Sequence, residues 1–260
     1  MKKIIFAIAI LGVVFTSCKK NPDDKVTPTP TTPVATTGSL KLEFEHMVDT
    51  NALTLNTVDY INANNDTFKV TKFKYYISNI KLTKTDGSVF TQPESYYLVD
   101  EATAASKVIT IANVPNGTYN SVSFMIGVDS TRNVSGSQTG ALDPANGMFW
   151  SWSSGYIMAK LEGSSNQSGA SNKSLTFHTG GFSGANSVLR TVTPSFNGAT
   201  ANVSSTLTPE VHYICDLSKF FKGASTTNFA TTHTVHMPGM MAKTIADNYA
   251  NMFSVDHIHN

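Results

Sequence analysis

The chain has 260 residues, with 19 Lys and Arg against 18 Asp and Glu, a formal charge of +1. Charged residues make up only 14% of it, against roughly a quarter of an average soluble chain. No basic field for nucleic acid or anionic lipid is present, and 40% hydrophobic residues argue against disorder. This balance disfavours a DNA-binding protein, a coiled coil and a polytopic membrane protein.

Residues 1–17 read as an export signal. Lys2 and Lys3 form a basic start, and Ile4 to Phe15 is an apolar stretch of 12 residues, too short to span a bilayer. Phe15-Thr16-Ser17-Cys18 resembles a lipobox, with small residues before a Cys that is acylated and becomes the new N-terminus. Residues 18–38 then form a tether. Pro22, Pro28, Pro30 and Pro33 stand among threonines without apolar periodicity, so the segment is extended and semi-rigid. The expected product is a cell-envelope lipoprotein, facing the periplasm or the cell surface. With Cys18 lipidated, Cys215 is the one thiol left and no internal disulfide forms. Val211-His212-Tyr213-Ile214-Cys215 alternates as a strand does, which places Cys215 with Val211 and Tyr213 as a small buried hydrophobe; a copper-ligand role is the sharper alternative.

Residues 39–260 read as one β domain. Leu40 to His46 alternates apolar and polar. Phe68 to Thr71 leads into Phe73 to Leu82, and Asp86-Gly87 turns the chain before Ser88-Val89-Phe90. Tyr96 to Val99, Lys107 to Ile111, Tyr119 to Val128, Gly155 to Leu161, Leu175 to His178, Val188 to Val192 and Val211 to Leu217 are further strands. Near the end, Met240, Met241, Ile245, Tyr249 and Met252 mark one face of a helix. The expected fold is all-β, an antiparallel sandwich of immunoglobulin-like or Greek-key type with a short C-terminal helix.

No phosphate-binding loop, nucleophile elbow or His-Glu-x-x-His motif is present, and no nucleophile stands with a base, so a non-catalytic binding role is expected. Two features carry chemistry. Trp150 and Trp152, both tryptophans of the chain, lie in Gly147-Met-Phe-Trp-Ser-Trp-Ser-Ser-Gly-Tyr156. Their indoles are either core, or a flat platform for a glycan or a surface partner. The second feature is histidine. His46 and His178 each stand near a strand end. His233, His236, His257 and His259 crowd the last 30 residues, interleaved with Met237, Met240 and Met241. Imidazole with thioether suits copper, whereas core filler or a solvated tail explains the same residues without a metal.

Several segments together resemble the MbnP-like copper-binding family, which includes methanobactin-associated proteins and the CorA and MopE surface proteins of methanotrophs. They are Phe44-Glu45-His46, Lys74 to Leu82 (KYYISNIKL), Phe124 to Asp129 (FMIGVD), Ala141-Leu142-Asp143-Pro144, Gly147 to Tyr156, Lys160-Leu161-Glu162-Gly163, and Phe177-His178-Thr179-Gly180-Gly181. The lipobox and the Pro/Thr tether give the chain the look of a Bacteroidetes-type lipoprotein. The resemblance implies an extracytoplasmic β domain that binds copper for acquisition, storage or handover. Its implied ligands are His46 and His178, beside Trp150 or Trp152, one of which is oxidised to kynurenine by a dihaem oxidase of the MauG type. A copper transport protein is the other implied partner. His233, His236, Met237, Met240 and Met241 form a secondary candidate site outside the segments of the resemblance. The competing reading is a lipoprotein that binds glycan or a surface partner through the tryptophan pair.

Overall fold

The structure is a computed structural model that describes residues 36–260 apart from Ser137 and Trp152. The export signal, Cys18 and nearly all of the tether lie outside the described residues, as does Trp152. No helix among the described residues is long and apolar enough to cross a membrane.

Sixteen strands and two α-helices follow one another among those residues. They begin with β1 (Thr37–Val48), β2 (Asn51–Ala52), β3 (Tyr60–Ile61), β4 (Thr67–Lys84), β5 (Val89–Thr91), β6 (Tyr96–Asp100), β7 (Val108–Pro115) and β8 (Gly117–Ile126). After α1 (Ser130–Asn133) come β9 (Phe149–Ser151), β10 (Gly155–Ser164), β11 (Ser174–Gly180), β12 (Arg190–Val192), β13 (Ala201–Val203), β14 (Glu210–Asp216) and β15 (Thr234–Val235). The helix α2 (Met240–Tyr249) and the strand β16 (Phe253–His259) complete the order.

The strands form a sandwich. One sheet runs β16-β14-β1, with β7 and β2 on the far edge of β1. The other runs β12-β8-β4-β10-β11-β15, with short strands added at β8, β4 and β10. Leu40, Leu42, Phe44, His46 and Val48 are the buried row of β1, two residues apart, because side chains of a strand alternate faces. Phe44 meets Tyr75 and Phe124 of the facing sheet edge-on, at ring-centroid separations of 6.3 and 5.9 Å, and stacks on Tyr213 at 5.3 Å. Fully burying one such ring stabilises the fold by about 1.5–3 kcal/mol.

The sandwich is antiparallel except at two places, β1 with β14 and β11 with β15. Both parallel pairs join strands far apart in sequence, which alternation within a strand does not specify. The expected helix forms with Ile245 and Tyr249 of its expected face buried, but Met240 and Met241 do not join them. Ala242, Ile245, Ala246 and Tyr249 are its buried stripe, Met240 and Met241 face solvent, and Met252 is buried beyond the helix end. Cys215 is buried and a free thiol, and desolvation pushes its pKa well above the usual range.

Candidate metal centre

The two histidines implied as a pair do not meet. His46 belongs to the inward row of β1 and packs edge-on against Phe73 and Tyr75 of β4, at 5.1 and 5.5 Å. Both of its ring nitrogens are engaged: Nδ1 lies 2.6 Å from Glu101 Oε2, and Nε2 lies 2.9 Å from the Tyr75 hydroxyl. His178 instead lies in register with Lys160 and, through it, Lys74. Those residues occupy the face of the sheet opposite Phe73 and Tyr75, so the sheet separates the two imidazoles. The expectation of a shared His46–His178 site is corrected on that ground. The signal was already in β1, where His46 keeps the two-residue beat of Leu40, Leu42 and Phe44.

On the outer face, other residues gather around His178. Thr176 and Phe177 of β11 pair in parallel with Thr234 and Val235 of β15, and His236, the residue after β15, lies alongside His178. The two imidazoles stand nearly perpendicular, their centroids 5.0 Å apart. Gly180 lies on the same face two residues on, and a Cβ there would collide with the six-membered ring of Trp150. Glycine thus makes room for the indole, which is half-buried and packs against the core. Glu162 of β10 sits 2.9 Å from His178 Nε2 and also holds Lys72 at 3.0 Å. Among the described residues His178 Nδ1 has no hydrogen-bond partner. Desolvation lowers the His178 pKa, helped by Lys160 and His236 and opposed by Glu162. The ring is therefore neutral at neutral pH, the state in which imidazole binds a metal.

The remaining candidates divide. His233 turns toward the Phe229 carbonyl, 3.2 Å from Nδ1. Met237, Met240 and Met241 are exposed on the segment that follows His236 and opens α2. The donor set facing His178 is thus imidazole, with an exposed thioether next in sequence to His236. Such neutral, polarisable ligands fit Cu(I), and a carboxylate-held imidazole fits the usual outer support of a metal ligand.

The segments singled out by sequence hold the loop that carries Trp150. The Tyr76 hydroxyl donates to the Ala141 carbonyl (3.1 Å), and the Tyr156 hydroxyl donates to Leu142 (2.6 Å). Lys160 donates to the Gly147 carbonyl. Ser78 Oγ donates to the Gly127 carbonyl at 2.7 Å. Asp129 caps α1 and accepts from the Tyr96 hydroxyl at 2.6 Å and from Asn79 Nδ2 at 3.0 Å. Burial would raise the Asp129 pKa, but those two donors together with the Thr131 and Arg132 N–H groups lower it below the ordinary carboxylate value. Asn79 adopts φ 53° where β4 bulges against β8, a conformation Asn tolerates better than most residues.

The sequence profile of the family described as MbnP matches residues 37–241, a span that contains Trp150, His178 and His236. Among solved structures, MbnP from Methylosinus trichosporium superimposes with a TM-score of 0.55 at 14% identity, covering 84% of this chain and 98% of that one. Comparison with curated protein sequences gives no match.

Proposed function

The chain belongs to the MbnP family, and from that premise we propose that it is a copper-binding lipoprotein of the cell envelope. Anchored through Cys18, it holds copper at His178 and His236 beside Trp150, for acquisition, storage or handover rather than turnover. The observation that carries this reading is the convergence of two imidazoles, 5.0 Å apart, on the face where Trp150 covers Gly180.

The chain's own groups have separable roles. Glu162 fixes the His178 ring through Nε2 and leaves Nδ1 for the metal. Trp150 shields the site from water and oxidants. Met237 is a soft donor for Cu(I) during loading or release. If Trp150 or Trp152 is oxidised to kynurenine, its amine and carbonyl add further donors, and a dihaem oxidase of the MauG type is the class of partner that performs such a step. His46, with both nitrogens committed inside the core, has a structural role in this reading.

The test is a Cu(I) titration of untagged protein, with an intact-mass measurement on the peptide spanning residues 147–156. We expect stoichiometric copper in the wild type and in the control Asp86→Asn, a change in the exposed turn between β4 and β5. His178→Ala and His236→Ala each weaken binding by about tenfold or more, the size of effect seen even for supporting residues. Unchanged affinity in the double variant H178A/H236A overturns the assignment.

A further inference from the structure

A second cluster of histidines stands on the other sheet, away from the copper site. On the outer face of β1, β14 and β16, Glu43 lies opposite His212, and His212 opposite His257. One step along, Lys41, Glu210 and His259 make a parallel row. His257 and His259 share this face because they are two residues apart on one strand. The three imidazoles form a tight group. His212 stacks on His257 with centroids 4.3 Å apart, and His259 meets them edge-on at 5.0 and 4.6 Å.

The ring nitrogens are oriented for a common ligand. His257 Nδ1 is held by Asp256 Oδ2 at 2.7 Å, and His212 Nδ1 lies 3.1 Å from Glu43 Oε2. Each carboxylate favours the tautomer with its proton on Nδ1 and the lone pair on Nε2, the arrangement in which histidines bind metals; at His257 that lone pair is shared in a hydrogen bond with His259, which a metal would replace. His257 Nε2 and His259 Nε2 are 3.0 Å apart. Metal–nitrogen bonds of about 2.0–2.1 Å put two ligand nitrogens roughly 2.8–3.0 Å from each other at right angles and roughly 3.3–3.4 Å at tetrahedral geometry. One ligand atom from each of the three histidines lies within 4.8 Å of the others. Small rotations of these solvent-facing rings close that remaining distance. The end of β16 is braced by Asn260, whose side chain bonds the Thr200 carbonyl at 2.9 Å and accepts from the Asn202 N–H at 2.6 Å. Glu43, Glu210 and Asp256 against Lys41 give the patch a net negative character that favours a cation.

We propose that His212, His257 and His259 bind one divalent late first-row transition-metal ion, of the zinc type, through their Nε2 atoms, with Glu43 and Asp256 orienting the rings. Two of the three ligands, His257 and His259, lie beyond residue 241, where the family match ends. Three imidazoles leave an open coordination position toward solvent, which suits reversible loading.

Zinc titration of untagged protein by calorimetry tests this, run on the wild type, H257A/H259A, H212A and H178A/H236A. The wild type is expected to bind one more zinc than H257A/H259A, and H178A/H236A is expected to keep that ion. H212A weakens it by about tenfold or more. Matching urea midpoints for the wild type and H257A/H259A confirm that the fold survives loss of these solvent-facing rings. Equal zinc stoichiometry in the wild type and H257A/H259A, or no zinc uptake by the wild type, overturns the proposal. Because three imidazoles also take copper, H178A/H236A is compared with the same variant carrying H257A/H259A; copper retained by the fourfold variant would refute the copper site and leave this one standing.

Discussion

Replacing His46 by alanine separates a structural histidine from a ligand. Its side chain is 0% exposed, and two aromatic rings enclose it edge-on. Truncation leaves a cavity among Phe73, Tyr75 and Glu101, and large-to-small changes in cores cost about 2–5 kcal/mol. It also leaves the buried Tyr75 hydroxyl without its 2.9 Å partner, a loss of about 1–3 kcal/mol. Glu101 keeps Lys107 at 3.0 Å, so its own contribution is small. The cavity can relax in part, and the expected total is about 3–5 kcal/mol. At about 2–4 °C per kcal/mol for a domain of this size, the melting temperature falls by roughly 10 °C. Urea unfolding gives the stability, and a copper titration of the folded variant gives the affinity. The expected result is a destabilised protein whose copper affinity is unchanged. A stability change below about 1 kcal/mol accompanied by loss of copper would refute the reasoning, since it would make His46 a ligand instead of a core residue.

Three more outcomes follow from the same geometry. Gly180→Ala displaces the Trp150 indole, so tryptophan emission shifts to the red and copper affinity drops, while far-ultraviolet circular dichroism stays unchanged; an unaltered emission spectrum contradicts the placement of the ring. Asp129→Ala removes the acceptor of Tyr96 and Asn79 and the cap of α1, and destabilises the domain by about 2–4 kcal/mol in urea. Acidification weakens the fold through His46. Burial holds its pKa below the ordinary 6.5 despite Glu101, so the unfolded chain takes up the proton first. That stability is fully present above pH 6.5 and is lost as pH falls toward the lower folded value. His46→Phe removes this pH step, and a wild-type-like profile in that variant argues against His46 as its source.

Much of the fold was legible because strands write their faces into a two-residue rhythm. Phe73 to Leu82 and Val211 to Cys215 show it, and both became central strands. β16 was missed although Phe253-Ser254-Val255 begins the same rhythm; a bulge opposite His212 and Tyr213 breaks the beat at His257. Met240 and Met241 do not join Ile245 and Tyr249 in the buried stripe of α2, because exposed methionines satisfy the apolar period as well as buried ones do. At the site, Trp150 and His178 could be singled out by residue type, and His236 was visible as a candidate, but its pairing with His178 was not.

Composition and local pattern by themselves determined that this is an all-β chain with four of its seven histidines in the last 30 residues. They act through neighbours in sequence: alternation sets which face a side chain takes, and turn residues set where a strand ends. Which histidines become partners depends on strand pairing across tens of residues. The parallel join of β11 to β15 puts His236 beside His178, and the β1–β14–β16 register lines Glu43 with His212 and His257. His46 and His178 look equivalent along the chain, yet one packs between the sheets and the other lies outside them, because only the closed sandwich decides which side of a strand is the core.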